Sequence, residues 1–178
     1  MKMIQTTTIK RWCEIYKLYR KAFPRNERKP FYMILKMQIK GKTDVWYFEK
    51  DGQFAGLAIT INGPNMVLLD YLAIAENARG CGIGSTILRK LQKHYKNRGL
   101  LIEIETIRDD APNLTERIRR KNFYLRNRMH PMNVFIKLFG VEMELMGYNC
   151  QVTFDEYFAF YRKNYGEFIT SHISKVIK

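Results

Sequence analysis

The feature that most constrains this chain is a glycine-rich turn between a predicted strand and a predicted helix. The turn reads Arg79-Gly80-Cys81-Gly82-Ile83-Gly84-Ser85; the apolar run 66–74 precedes it and an amphipathic helix predicted over 82–97 follows it. Glycines at alternate positions leave a bare backbone whose amide hydrogens can converge on an anion, and the helix adds its positive N-terminal end. The leading arginine can bind a phosphate through two N–H groups. The sequence therefore predicts a turn that binds a pyrophosphate.

The spacing of the glycines excludes two common phosphate-binding motifs. A dinucleotide-binding G-x-G-x-x-G motif would need glycine at position 85, which is serine, and Glu103 lies inside the next predicted strand rather than at its end. No G-x-x-x-x-G-K-[ST] motif occurs in the chain. The pattern that fits is Arg/Gln-x-x-Gly-x-Gly/Ala, at Arg79, Gly82 and Gly84. A tight strand-to-helix turn without a ligand is the alternative interpretation.

This pattern resembles the coenzyme-A-binding turn of the GNAT superfamily of acetyl-CoA-dependent N-acetyltransferases. That family also carries a pattern similar to Tyr-x-x-x-Gly-Phe on a later helix, and Tyr124 stands at the position of its tyrosine. Arg128 and Met129 replace the glycine and the phenylalanine, so the turn after this helix departs from the family pattern. The resemblance covers about residues 1–148.

The resemblance implies that acetyl-CoA is the acetyl donor and that a primary amine attacks its thioester directly, without an acyl-enzyme. Tyr124 would protonate the departing thiolate or hold the sulfur in place. The usual asparagine of the family is missing seven residues before this tyrosine, where Arg117 stands, so Arg117 or Asn113 would contact the cofactor instead. The implied cofactor-binding residues are Leu72, Ala73 and Ile74 for pantetheine, Arg79, Gly80, Cys81, Gly82, Ile83, Gly84 and Ser85 for the pyrophosphate, and Asn113 and Arg117.

Two glutamates are the candidates for the base that accepts the proton of the amine. In the predicted strand 100–106, alternation places Glu103 and Glu105 on one face, about 7 Å apart along the strand. Two carboxylates in one cleft would raise the pKa of one of them toward neutrality, as a base requires. Two solvated glutamates on an exposed strand face are the alternative. Asp70, Glu27 and Arg28 are weaker candidates, the last two in a charged run, 26–30, where many family members form the substrate wall.

The predicted elements follow the order of the family and give an α/β fold with a mixed, splayed central sheet and helices on both faces. We expect one domain over residues 1–178, with a GNAT core over about 1–148 and a helical extension over about 149–178. The predicted helices are 9–23, 31–39, 82–97, a helix from a cap at Asp109 or Asp110 to about Asn127, 153–163, and a tail 171–178 that is helical or frayed. The predicted strands are 3–8, 45–49, 53–61, 66–74, 100–106, 133–138 and 141–146.

The formal net charge is +14, which attracts polyanions. The cations are dispersed in sequence apart from one cluster over 117–121. A solvated helix face is the first interpretation of this cluster, contact with the ribose phosphate of coenzyme A the second, and nucleic-acid binding the third. Nucleic acid is therefore not the expected main partner.

Cysteine and histidine form no metal-type pattern, and we expect no metal site. Cys13, Cys81 and Cys150 are scattered, and Cys81 is interpreted as a small residue of the turn rather than a nucleophile. No segment approaches the ~20 apolar residues that span a bilayer, and residues 10–14 interrupt any signal-peptide core, so a cytoplasmic protein without membrane contact is expected.

Two functions from different classes remain open. The first is an N-acetyltransferase acting on a primary amine that the sequence does not identify. The second is a module that binds coenzyme A or another polyanion without turnover. The aromatic-rich segment from Thr153 could pack on the domain or on a second subunit, so a homodimer is the open alternative to a monomer.

Overall fold

The computed structural model describes residues 1–25 and 27–177, which form two compact units, Met1–His94 and Tyr95–Lys178. The strands of the first unit are β1 (Lys2–Gln5), β2 (Thr43–Lys50), β3 (Gln53–Asn62) and β4 (Val67–Ile74), and its helices are α1 (Ile9–Ala22), α2 (Phe31–Ile39) and α3 (Ile83–His94). The strands of the second are β5 (Leu100–Glu105), β6 (His130–Leu138), β7 (Val141–Tyr148) and β8 (Ile173–Val176), and its helices are α4 (Leu114–Arg126), α5 (Phe154–Tyr165) and α6 (Glu167–Thr170). The predicted α/β class is confirmed.

In the first unit, β1 to β4 pair antiparallel in chain order. The apolar spacing of α1 gives a buried face of Ile15, Leu18 and Tyr19, which packs in one core cluster with residues of β2, β3 and β4. Removing this apolar surface from water is the main stabilising contribution to the unit. The rigid sheet fixes the position of the glycine turn, which follows β4 after a short 3-10 helix, Glu76–Ala78.

A β-bulge interrupts β4 in its middle. Ile59 of β3 pairs with Tyr71 whereas the next residue, Thr60, pairs with Leu69, so Asp70 is the additional residue of β4. A bulge re-aims side chains and is frequent beside active sites. Nothing in the sequence pattern predicted it.

In the second unit, β7 pairs antiparallel with β5 and β6, and β6 pairs with β8, giving the order β5-β7-β6-β8. The predicted cap of α5 is confirmed: the Thr153 hydroxyl accepts a hydrogen bond from the Glu156 amide, and the Glu156 carboxylate accepts one from the Thr153 amide. This capping box fixes where α5 begins and therefore which of its side chains face the sheet.

Three predicted boundaries in the second unit are wrong. The tail is not helical at 173–176, because the edge of β6 offers hydrogen-bond partners and Ile173 pairs with Leu138. Helix α4 begins at Leu114 rather than near Asp110, since the Asp110 carboxylate is engaged by Arg108 at 2.8 and 3.0 Å. Strand β6 begins at His130 rather than Asn133, because an irregularity in its pairing with β7 lets the strand continue through that residue.

Two residues of the predicted segments lie outside the described residues: Asn26, the first residue of the charged run 26–30, and Lys178, the last residue of the tail. No helix within residues 1–25 and 27–177 is long and apolar enough to cross a membrane. The same residues contain no group of three His, Cys, Asp or Glu side chains that could hold a metal ion.

Candidate functional site

The glycine turn presents a row of backbone amides at the start of α3. The first amide after the turn to reach a backbone acceptor is that of Thr86, which donates to the Gly82 carbonyl at 3.1 Å. In the described part of the chain, the amides of residues 80–85 donate to no backbone carbonyl. Unpaired N–H groups at a helix N-terminus are suited to an anion, and the helix dipole favours negative charge there. The turn can therefore bind a phosphate group through its backbone.

The backbone of the turn depends on glycine. Gly80 and Gly82 have positive φ values of 84° and 68°, and a Cβ atom added at either position would meet open space. The Arg79 side chain is exposed, and its Nε donates to the Ile74 carbonyl at 3.4 Å. Cys81 is exposed and is not part of a disulfide. The backbone of the turn and the side chains of Arg79 and Cys81 are therefore accessible to a ligand.

At the end of β4, the backbone N–H and C=O groups of alternate residues point in opposite directions, toward β3 and away from it. The Ala75 amide donates to the Ala55 carbonyl of the β3 side, and in an antiparallel ladder alternate residues face the same neighbour. Ala73 therefore directs its backbone groups toward β3, where it pairs with Leu57. Leu72 and Ile74 direct theirs away from β3. Of the three residues predicted to pair with pantetheine, these two present backbone groups on the side that β3 does not use.

The segment between α1 and α2 is held to β4 by Tyr71 and an ion pair, and to α1 by Tyr19. The Tyr71 hydroxyl accepts from the Lys29 amide and donates to the Glu27 carbonyl, both at 3.0 Å, and the Tyr19 hydroxyl donates to the Lys29 carbonyl at 3.0 Å. The Lys29 ammonium lies 2.6 Å and 2.7 Å from the two carboxylate oxygens of Asp70, the bulged residue. Burial raises the pKa of both phenols, so they stay neutral at physiological pH.

Glu103 of β5 is held by helix α5. The hydroxyls of Tyr157 and Tyr161 donate to the same oxygen, Oε1, at 2.8 and 2.7 Å. Both tyrosines are buried, and their spacing of four residues places them on one face of α5. Sequence reasoning missed both tyrosines; their spacing on a predicted helix was the available signal.

Glu105, two residues further along β5, is held by helix α4. Arg117 lies 2.8 Å from Oε1 and Arg120 2.9 Å from Oε2, and the Asn113 amide group donates to Oε2 at 3.3 Å. Arg117 also donates to the Thr106 carbonyl and to the Asn113 side chain, both at 2.7 Å. Asn113 and Arg117, predicted to contact the cofactor, are thus part of a network within the second unit. Each of the two glutamates is thus bonded by a different helix, and the expectation that both lie in one cleft stays a prediction.

Tyr124 lies on α4 in a partly buried position. Burial raises the pKa of its phenol to about 12, with the positive charge of Arg120 opposing the change. Tyr124 is therefore a neutral hydroxyl throughout the physiological range, able to donate a hydrogen bond.

Comparison with known proteins is consistent with this arrangement. A family model described as the acetyltransferase (GNAT) family matches residues 12–119. A protein of Bacillus subtilis (strain 168), named as a candidate acetyltransferase, YjbC, is 30% identical over 88 residues. That alignment covers 49% of this chain and 42% of YjbC, so it spans less than half of the relative.

Solved structures share the fold. A GNAT-family structure from Bacteroides thetaiotaomicron has a TM-score of 0.79 at 18% identity, covering 94% of this chain and 99% of its own. An aminoglycoside 6′-N-acetyltransferase in complex with coenzyme A has a TM-score of 0.66 at 12% identity, covering 83% of this chain and 96% of its own.

Proposed function

This chain belongs to the acetyltransferase (GNAT) family, and we propose that it transfers the acetyl group of acetyl-CoA to a primary amine by direct attack of the amine on the thioester. Acetyl-CoA is the acetyl donor of this family. The observation that carries the proposal is the row of amides over residues 80–85, none of which donates to a backbone carbonyl among the described residues.

Binding of the donor is assigned to the first unit. The amides of residues 80–85 and the Arg79 guanidinium bind the pyrophosphate, because fixed N–H groups and a cation stabilise its negative charge without reorganising. The outward backbone groups of Leu72 and Ile74 pair with the amides of pantetheine, as in the addition of a strand to a sheet edge. These contacts orient the thioester for attack.

The proton of the amine is assigned to Glu103. A tyrosine hydroxyl can donate to a carboxylate and can also accept from a carboxylic acid, so Tyr157 and Tyr161 can satisfy both protonation states of Glu103. A guanidinium only donates, so Arg117 and Arg120 offer no acceptor for a proton on Glu105. Glu103 accepts the proton as the nitrogen–carbon bond forms, and Glu105 holds the two arginines of α4.

The leaving thiolate is assigned to Tyr124. Full transfer of a proton from a phenol with a pKa of about 12 to a thiolate whose thiol has a pKa near 8.5 is uphill by about 5 kcal/mol. Tyr124 therefore stabilises the sulfur by a hydrogen bond as the carbon–sulfur bond breaks, and solvent supplies the proton of the free thiol. This selects one of the two roles that the family resemblance implies for the residue.

The test compares two glycines of the same conformation. Gly82 and Gly41 both have φ of 68° with open space around an added Cβ, so valine costs similar backbone strain at each. We expect Gly82→Val to weaken acetyl-CoA binding by about tenfold or more, because the side chain enters the anion site, and Gly41→Val to leave it within about twofold. Calorimetric titration measures both.

Turnover is then measured as release of free thiol from acetyl-CoA with a panel of small polyamines, aminoglycosides and N-terminal peptides. Equal binding by the two valine variants would exclude the turn as the donor site. Tight binding of acetyl-CoA with no amine-dependent thiol release across the panel would favour the module without turnover.

A further inference from the structure

The positive charge of the chain is concentrated near its start. Residues 1–42 contain twelve Lys or Arg and two Asp or Glu, in a chain whose net charge is +14. One of these carboxylates, Glu14, accepts a hydrogen bond from the Tyr47 hydroxyl at 3.1 Å and is turned toward the sheet. In the described part of this segment, Glu27 is the single exposed carboxylate. An excess of cations on this scale attracts a polyanion.

Folding places three of these cations, Lys10, Lys17 and Arg20, on one side of α1. Exposed residues recur at helical spacing along the helix, opposite its buried face, and they include Lys10, Tyr16, Lys17 and Arg20. The Arg20 guanidinium lies 5.7 Å from the centre of the Tyr16 ring. An arginine stacked on an exposed tyrosine presents a cation and an aromatic face together.

Helix α2 continues the surface. Its exposed residues are Tyr32, Lys36 and Ile39, followed by Lys40 at its C-terminus. The two helices are neighbours at both ends: the ring centres of Tyr16 and Phe31 are 4.9 Å apart, and the Gln38 side chain donates to the Thr6 carbonyl. We name this surface the α1/α2 basic face: the cations Lys10, Lys17, Arg20, Lys36 and Lys40 with the tyrosines Tyr16 and Tyr32.

None of the five cations of the α1/α2 basic face has an ion-pair partner among residues 1–25 and 27–177. The neighbouring Lys21, by contrast, lies 2.7 Å from Glu76 and is excluded from the set for that reason. Uncompensated like charges repel one another and reduce the stability of the compact state. We propose that the α1/α2 basic face binds single-stranded nucleic acid, with the cations on phosphates and with Tyr32 and the Arg20–Tyr16 pair on unpaired bases.

The tyrosines favour nucleic acid over other anions. Tyr32 is 68% exposed, which leaves a ring face on which an unpaired base can stack. Tyr16 is 40% exposed with the Arg20 guanidinium 5.7 Å over its ring, so this pair presents the planar guanidinium as a second stacking surface. A membrane surface is a poorer fit, because a helix lying in the lipid interface buries its apolar face in lipid, whereas the apolar face of α1 is buried in the protein core. The proposal goes beyond acetyl transfer and does not depend on it.

The test measures binding of a short, fluorescently labelled oligouridylate RNA to the full chain by anisotropy over a range of salt. Neutralising five phosphates on a single strand gives a slope of log K against log salt of about −3.5. The triple variant Lys10→Gln/Lys17→Gln/Arg20→Gln should bind about tenfold or more weakly at physiological salt, with a slope of about −1.4. Replacing Tyr16 and Tyr32 by Leu should weaken binding about fivefold or more while the slope stays unchanged.

A matched control separates the location of the charge from its amount. The variant Arg119→Gln/Arg126→Gln/Lys137→Gln also removes three positive charges, but from exposed positions of α4 and β6. It should bind RNA within about twofold of the wild type. Acetyl-CoA binding and the circular dichroism spectrum verify that each variant is folded. Equal loss in the two triple variants would overturn the proposal, and so would tighter binding to polyglutamate or phosphatidylserine vesicles than to the RNA.

Discussion

The two glutamates of β5 lie two residues apart on one strand, yet their surroundings differ in chemical kind. Glu103 receives hydrogen bonds from two phenols of α5, and Glu105 lies between two guanidiniums of α4. Phenols can donate or accept, whereas guanidiniums only donate. The difference teaches that strand alternation fixes which face a carboxylate occupies, while the helices packed on the strand decide whether its hydrogen-bond partners can accept as well as donate.

The largest expected effect is on kcat, when the carboxylate of Glu103 is removed. Glu103→Gln should lower kcat by about 10²- to 10⁴-fold, the range for loss of a general base, with acetyl-CoA affinity unchanged. Glu105→Gln should lower kcat by less than about tenfold. Steady-state kinetics at saturating acetyl-CoA give both numbers. A larger loss of kcat in Glu105→Gln than in Glu103→Gln would assign the base to Glu105. It would also contradict the argument that phenol partners, rather than guanidinium partners, mark the base.

The second test concerns stability. Glu105→Gln should lower the free energy of unfolding by about 2 kcal/mol, because Arg117, whose side chain is 14% exposed, loses the carboxylate that compensates its charge. Urea denaturation measures the change. Glu76→Gln is the control, since it removes the Lys21–Glu76 ion pair, whose two side chains are well exposed, and should unfold near the wild-type urea concentration. Equal unfolding midpoints for the two variants would place the Glu105 network among ordinary surface ion pairs.

The smallest expected effect comes from Tyr124, the hydroxyl assigned to the leaving thiolate. Tyr124→Phe should lower kcat by about tenfold with little change in acetyl-CoA affinity, the expected loss of one hydrogen bond to the sulfur. A phenol with a pKa of about 12 is protonated below that pH, so its hydrogen bond is lost only as the pH rises through 12. The alkaline pH profile of kcat should therefore lack a decline from this group up to about pH 10.5. A decline below that pH that disappears in Tyr124→Phe would show that the phenol ionises earlier.

Much of the fold followed from local pattern, and the exceptions have physical causes. The glycine turn, the capping box of α5 and the face shared by Glu103 and Glu105 depend on neighbours a few residues apart, which a sequence displays directly. The bulge at Asp70 and the strand β8 depend on pairing with β3 and β6, and a short apolar run does not reveal its pairing partner.

The hydrogen-bond partners of Glu103 could not be predicted from the sequence for the same reason. Tyr157 and Tyr161 reach Glu103 from 54 and 58 residues away in the chain. The cations of residues 1–42 were interpreted as dispersed because they are separated in sequence, although the helical period places Lys10, Lys17 and Arg20 on one side of α1. Charges need the same periodic analysis as apolar residues, since both are sorted by the same 3.6-residue turn.

The fastening of residues 27–29 to β4 has a consequence for how an acceptor would bind. Two phenols hold the backbone of this segment and the Lys29–Asp70 ion pair holds the Lys29 side chain, so contacts within the protein order the segment. An ordered segment loses little conformational entropy when a ligand binds to it, and it adapts poorly to ligands of another shape. If this segment lines the acceptor pocket, the protein will discriminate among amines by rejection at a fixed surface rather than by closing around the one it accepts.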